Sequence, residues 1–433
     1  MTNIGQNLYN RAKKIIPGGN SLLSKRPEMF LPDLWPAYFE STSGCEVHDL
    51  DGKKYFDVSI MGIGTNSLGY NNKYVDDAIF NVVKKGNMST LNCPEEVYLA
   101  EKLISLHPWA HMARFARTGG EAITIALRIA RASSGKDNVA FCGYHGWHDW
   151  YLSSNLGESD NLDGHLISGL KTDGVNKSLK NTSFPFCYND IQSLEILFKE
   201  KCLGVVVMEV KRNFEPEDNF LAKVRALCNK YNAVLIFDEC TSGFRETFGG
   251  LHLKYDVNPD IAMFGKALGN GYAITAIIGS NDVMSYTQNS FISSTFWTER
   301  IGFAAGVATL EEMERLESWN IITGIGRKVK DNWENIFENN NFNIDITGLD
   351  ALASFTFKND HLINKTLLTK LMLDKGHLAS NLFYACTAHT TSVCEEYFDN
   401  LNDVAYLISK LDLDQKLDKI ESKICHSGFK RLN

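Results

Sequence analysis

From Gly44 to Ser59, apolar and polar residues alternate on either side of Asp51-Gly52, the pattern of two strands joined by a tight turn. Pro94, Glu95 and Glu96 then open a helix whose apolar face is Leu99, Leu103 and Leu106, at i, i+4 and i+7. The middle of the chain has a different texture. Continuous apolar runs at Val139–Cys142, Leu203–Met208 and Ala233–Phe237 are separated by helical patterns such as Leu194–Glu200 and Phe220–Lys230. Runs without alternation belong to strands buried on both faces, so this stretch predicts a parallel sheet covered by helices. After about Thr309 charged helices dominate, among them Leu362–Lys375 stopped by Gly376, with one interior strand candidate at Ala351–Phe357. A second, smaller domain is expected there.

Composition narrows the class. The 433 residues are enough for two or three domains at roughly 150 residues each, or for one large domain with a smaller one attached. Lys and Arg total 44 against 52 Asp and Glu, a net charge of −8 with no long run of either sign, which points away from nucleic acid and anionic membrane as partners. With 44% hydrophobic and 22% charged residues the chain is an ordinary globular one, not disordered, collagenous or coiled-coil. Met1–Gly19 is polar and carries no apolar stretch of the kind a signal peptide needs. No run approaches the roughly 18 apolar residues of a membrane span. The ten cysteines are scattered singly from Cys45 to Cys425 without a C-x-x-C pair, so they read as reduced thiols, and the expected location is cytoplasmic.

In open parallel sheets ligands sit beyond the carboxyl ends of the strands, and four segments there carry chemistry. The run ending at Phe237 leads into Asp238-Glu239, which sets a carboxylate at a strand end. Lys266 lies among Gly265, Ala267, Gly269 and Gly271; small neighbours admit another molecule to its amine, and a poorly solvated lysine becomes a nucleophile toward aldehydes. Arg117-Thr118-Gly119-Gly120-Glu121 feeds a helix with Ile123, Leu127 and Ala130 on its apolar stripe, a place where free amides and the helix dipole favour a phosphate. Phe141, Tyr144, Trp147, Trp150 and Tyr151 crowd a loop with His145 and His148, a platform on which a flat heteroaromatic ligand could stack.

Each segment alone also has an ordinary structural reading. A strand-end Asp caps the next helix, a lysine in a turn is solvated, and Thr-Gly-Gly is a helix N-cap. Metal is not assigned: His145 and His148 lack the helical i, i+4 spacing, and His107 and His111 are separated by Pro108. The nucleotide fingerprints G-x-G-x-x-G and G-x-x-x-x-G-K-[ST] do not occur. Taken together, a phosphate cradle, an aromatic platform, a carboxylate and a lysine nucleophile are what pyridoxal 5'-phosphate (PLP) requires.

Through these motifs the chain resembles the class III aminotransferases of PLP fold type I, close to the glutamate-1-semialdehyde 2,1-aminomutase branch, from about Ile16 to Thr391. The resemblance implies an α/β fold: a large PLP-binding domain at 61–309 with a mostly parallel sheet covered by helices, and a smaller α+β domain from the two chain ends, 1–60 and 310–433. It implies Thr118, Gly119 and Gly120 at the phosphate, Tyr144 stacked on the ring, His145 and Glu209 in the cofactor site, Asp238 at the pyridine nitrogen and Lys266 as internal aldimine. Thr295, in Ser293-Ser-Thr-Phe-Trp-Thr-Glu-Arg300, matches a threonine lent to the phosphate of the neighbouring subunit, which implies a homodimer.

Departures fall mostly on the substrate side. Ser24-Lys25-Arg26 stands where the aminomutases carry a substrate arginine, Ile63 lies where a tryptophan is expected, and Tyr384 stands for a C-terminal glutamate. Glu209 is followed by Val210, Lys211 and Arg212 instead of proline, and Gly120 removes a hydroxyl from the phosphate loop. Lys25, Arg26, Lys211 and Arg212 are the candidates for an anionic substrate group. The segments Tyr144–Tyr151 and Thr295–Arg300 also resemble members associated with bacterial surface-polysaccharide pathways. The expected function is transfer of an amino group between a small-molecule donor and a carbonyl acceptor. The alternatives are the intramolecular aminomutase reaction and, from another class, a PLP-fold binding module that has lost catalysis.

Overall fold

The apolar runs of the middle region become strands of one seven-stranded sheet in a computed structural model that describes residues 3–165 and 167–428. Its strands are β1 (Met112–Ala116), β2 (Asn138–Cys142), β3 (Ser183–Pro185), β4 (Leu203–Met208), β5 (Val234–Glu239), β6 (Ile261–Phe264) and β7 (Thr275–Gly279). They lie in the order β1-β7-β6-β5-β4-β2-β3. Pairs from β3 through β6 are parallel, whereas β7 runs antiparallel to both β6 and β1. Every strand except β7 therefore points the same way. Every residue of β4 and β5 is buried, which explains their unbroken apolar runs: helices cover both faces, leaving no wet side to alternate toward.

The helices form where the periodicity predicts them. Helix α1 (Glu95–Leu106) has Pro94 at its N-cap and buries Leu99 and Leu103. Helix α2 (Gly119–Ser134) is capped by Thr118 and ended by left-handed Gly135, an arrangement that satisfies orphan groups at both ends. Its inner face, Ala122, Ile123, Ala126, Leu127 and Ala130, packs in one cluster with Val205, Val207, Val234 and Ile236 of β4 and β5. The small alanines bring the helix axis close to the sheet. Helices α3 (Ile191–Glu200) and α4 (Phe220–Tyr231) connect β3 to β4 and β4 to β5. Together these elements make up a compact unit spanning Lys73–Trp319.

The second unit joins Met1–Asn72 to Asn320–Asn433. Its N-terminal part contains the predicted hairpin, Glu46–Asp49 paired antiparallel with Lys54–Asp57. Its C-terminal part has a three-stranded sheet from Ile344–Thr347, Leu352–Phe357 and Leu382–Tyr384, with helices at His361–Asp374 and Thr391–Ser409. The core gathers Trp333, Phe337, Phe355, Phe357 and Leu401, and the Trp333 indole N–H donates to the Tyr397 hydroxyl at 2.9 Å. Trp333→Ala empties this core and strands that hydroxyl; the expected loss is about 3–5 kcal/mol, read as an earlier urea unfolding midpoint. Among the described residues no helix is long and apolar enough to cross a membrane, and no cluster of three His, Cys, Asp or Glu side chains could hold a metal.

Candidate active site

Because six strands share one direction, the residues that follow them collect along one edge of the sheet. Beyond β1 comes Arg117-Thr118, beyond β2 Gly143-Tyr144-His145, beyond β4 Glu209, at the end of β5 Asp238, and beyond β6 Gly265-Lys266. Strands β5 and β6 are adjacent and in register, with Asp238 opposite Met263 and Glu239 opposite Phe264. The carboxylate and the amine singled out in the sequence thus leave the sheet side by side.

Lys266 takes a left-handed backbone conformation, φ +44°, a cost of about 1–3 kcal/mol that tends to concentrate at functional positions. Its ammonium donates to the Thr241 hydroxyl at 2.7 Å. Burial holds the Lys266 pKa below the ordinary lysine value, so more of the amine is neutral and nucleophilic at a given pH. Gly265 is required by close packing: a Cβ there would lie 2.9 Å from Cys240 Sγ and 3.1 Å from Thr275 Cγ2. The same sulfur would lie 3.2 Å from a Cβ on Gly119, which brings the Thr118–Gly120 turn up to Lys266. Burial pushes the Cys240 thiol up to about 11.

The two neighbouring carboxylates have different fates because strand side chains alternate. Glu239 is fully buried and taken up by His252 Nδ1 at 2.5 Å and Ser242 Oγ at 3.1 Å. Asp238 is held instead by His145 Nδ1 at 2.8 Å and by the Cys240 amide at 3.1 Å. His145 is itself fixed through Nε2 to the Cys142 carbonyl at 3.2 Å, and its ring stacks on Trp150. Asp238 is 5% exposed, and the two groups that hold it in place leave it a rigid acceptor.

At the other end of the edge, Thr118 and Glu121 form a reciprocal capping box. The N-cap reading of Thr-Gly-Gly is therefore correct, and it does not compete with the phosphate reading. The Gly119 and Gly120 amides belong to the first helical turn, where N–H groups lack intrahelical acceptors and the dipole is positive. His148 Nε2 and Trp147 Nε1 would lie 3.0 and 3.5 Å from a Cβ on Gly120. Tyr144 packs against the sheet core and edge-on to Tyr151, with its phenol pKa raised by burial. A side-chain-free anion cradle, a lysine of lowered pKa, a rigid carboxylate and a tyrosine ring fit PLP, and they all lie in the Lys73–Trp319 unit.

A cavity of about 300 Å³ opens beside these residues, lined by Tyr144, Phe186, Tyr188, Glu209, Arg212 and Phe214 among others. Glu209 is tucked over Gly143, where a Cβ would come within 2.6 Å of its Oε2. Arg212 Nη1 donates to Glu209 Oε1 and to Thr241 Oγ1, both at 3.1 Å. The hydroxyl that meets Lys266 therefore also meets Arg212.

The remaining sequence candidates have surroundings of their own. Lys211 is buried with its ammonium on Glu215 and 3.8 Å from Glu246. Lys25 ends a short turn, Leu23–Lys25, and the Arg26 guanidinium covers Gly18; both belong to the other unit, as does Tyr384. Thr295 is exposed at the start of the turn Thr295–Thr298, whose Trp297 donates to Glu121 at 3.2 Å. Two functional placements carry no signal in the sequence pattern: Thr241, two residues beyond Asp238-Glu239, and His148, inside the aromatic loop.

Residues 33–411 match the aminotransferase class-III family. The 3-aminobutyryl-CoA aminotransferase of Cloacimonas acidaminovorans (strain Evry) is 32% identical over 415 residues, covering 93% of this chain and 94% of that protein. The glutamate-1-semialdehyde 2,1-aminomutase of Wigglesworthia glossinidia brevipalpis is 34% identical over 330 residues, covering 73% and 74%. Among solved structures, the PLP internal aldimine form of the FumI protein of Sphingopyxis sp. MTA144 superposes with a TM-score of 0.84 at 22% identity, covering 96% of this chain and 99% of that one.

Proposed function

Because the chain belongs to the class-III aminotransferases, a PLP-dependent family, we propose that the strand-end cluster around Lys266 holds the cofactor and moves an amino group from a small amine donor to a carbonyl acceptor. The observation that carries this reading is the placement of Asp238 and Lys266 at the same ends of two paired parallel strands. PLP, when bound, supplies an aldehyde that condenses with amines and a ring that takes up the electron pair released from a substrate C–H bond.

The chain's own residues do the rest. Lys266 Nζ, its pKa lowered by burial, would hold the cofactor through its aldehyde and, as a neutral amine, would carry a proton as a general base. Thr241 Oγ1 lies within hydrogen-bond reach of that nitrogen and keeps it aimed. Asp238, fixed by His145 and the Cys240 amide, would accept the ring N–H and favour the protonated ring. The Gly119 and Gly120 amides would bind the phosphate, and Tyr144 would pack on the ring.

Arg212 is the proposed site for an anionic group on the substrate, since it stands at the cavity wall and reaches the hydroxyl that meets Lys266. Both cations are paired with acids, Arg212 with Glu209 and Lys211 with Glu215, but Arg212 lines the cavity and Lys211 is not among its lining residues. Arg212→Ala is expected to lower kcat/KM for carboxylate-bearing donors on the order of 10- to 100-fold, mainly through KM, with a smaller effect on an uncharged amine; equal losses on both would remove this assignment. Thr295 is proposed to complete the phosphate site of a second copy, giving a homodimer. Mixing Lys266→Ala with Thr295→Ala subunits tests this, because activity rises only if each site draws on both chains.

A panel of amino donors added to the PLP-loaded protein, with spectral conversion to the amine form of the cofactor as readout, tests the transaminase reading. Aminomutases among the relatives support a second one. Turnover of a dioxo or diamino intermediate by the amine form without any external donor identifies that reaction.

A further inference from the structure

The loop after β2 crosses directly over the start of α2. Gly146, at φ +93°, lets it pass so close that a Cβ there would lie 3.4 Å from the Gly120 Cα. One residue pair then decides what occupies the space above the helix. The atom nearest to a Cβ on Gly120 is His148 Nε2, at 3.0 Å, with His148 Cδ2 at 3.2 Å. The other ring nitrogen, Nδ1, is paired with Thr124 Oγ1 at 2.7 Å. Thr124 sits one turn along the same helix, so the helix itself orients the imidazole. Among the described residues Nε2 has no hydrogen-bond partner.

We propose that His148 is a phosphate-binding residue of the cofactor site: its Nε2–H replaces the hydroxyl that Gly120 lacks, and Gly120 is glycine because the imidazole takes the room a side chain would need. This rests on the reading that PLP sits at the α2 N-terminus. The proposal requires the tautomer in which Nδ1 accepts from the Thr124 hydroxyl and the proton sits on Nε2, the nitrogen that faces the first helical turn. A phosphate at this helix start would be within the reach of the Gly119 and Gly120 amides and of the imidazole. With Tyr144 four residues earlier, one loop grips both ends of the cofactor.

The test is equilibrium binding to the apoprotein of two probes, PLP and pyridoxal, which differ only in the phosphate. His148→Ala is expected to weaken PLP on the order of 10- to 100-fold, the worth of one hydrogen bond to a charged group, and to leave pyridoxal unchanged. Gly120→Ser weakens PLP in the wild-type background, where the new side chain meets the imidazole, and restores part of the lost affinity in the His148→Ala background. Undiminished PLP binding by His148→Ala overturns the proposal, as does an equal loss for both probes, which marks a general packing role. Equal affinity of the wild-type protein for PLP and pyridoxal would instead show that the phosphate site itself is wrong.

Discussion

Lys266→Ala is expected to lower turnover by a factor on the order of 10⁴ or more and to abolish the visible absorption that PLP acquires when joined to a lysine. Two losses combine, the covalent anchor and the base, and general-base catalysis alone contributes about 10²–10⁴. Lys211, which follows strand β4, cannot substitute, since it is held on Glu215 and lies 3.8 Å from Glu246. The folded structure should survive, because alanine removes the Thr241 contact without leaving a buried charge, and the far-UV spectrum checks that. Lys266→Arg should fare no better, as a guanidinium stays protonated and does not condense with an aldehyde. There is a matching pH dependence. The neutral amine is the reactive form, so the rate at which apoprotein takes up PLP rises with pH. Because burial lowers the Lys266 pKa from 10.5, that rise should be centred below 10.5. A rise centred at or above that value would contradict the burial argument.

Asp238→Asn keeps the shape of the side chain but removes the charge opposite the ring nitrogen. The single-turnover rate with a good donor is expected to fall by about 10²–10³, the scale on which one preorganised electrostatic contact acts, while PLP still binds and still joins Lys266. The separation of the two effects is the informative part: Lys266→Ala loses the covalent link, Asp238→Asn keeps the link and loses the rate. A second consequence falls on His145, which forfeits its carboxylate partner at 2.8 Å. His145→Ala should therefore reproduce part of the same rate loss by releasing Asp238. Full activity in Asp238→Asn would show that this carboxylate does not serve the ring.

Much of the architecture could be read directly because the physics that makes it is local. A strand such as β4, buried on both faces along its whole length, announces itself as an unbroken apolar run, and Asp51-Gly52 supplies the turn that the hairpin needs. The strands β1, β3 and β7 carry no such signature. Met112–Ala116 carries an arginine, and all five of its residues but the last two are only partly buried, so its pattern is that of no particular element; it is a strand because β7 pairs with it. The site divides in the same way. Asp238, Lys266 and the Thr118 turn stand in motifs with a recognisable chemistry. The grip of His145 on Asp238 spans 93 residues of sequence and that of Thr241 on Lys266 spans 25, and neither distance leaves a trace in the local pattern. Among four cationic candidates, only the fold separates Lys211, buried against Glu215 and Glu246, from Arg212, one residue further on, paired with Glu209 at the cavity wall.

Loading the protein with PLP, reducing with borohydride and sequencing the labelled peptide by mass spectrometry tests the proposed anchor most directly. The phosphopyridoxyl group should be found on Lys266 and be absent from Lys266→Ala. A label on any other lysine, or equal labelling of the two proteins, would contradict the assignment of this strand end as the catalytic centre.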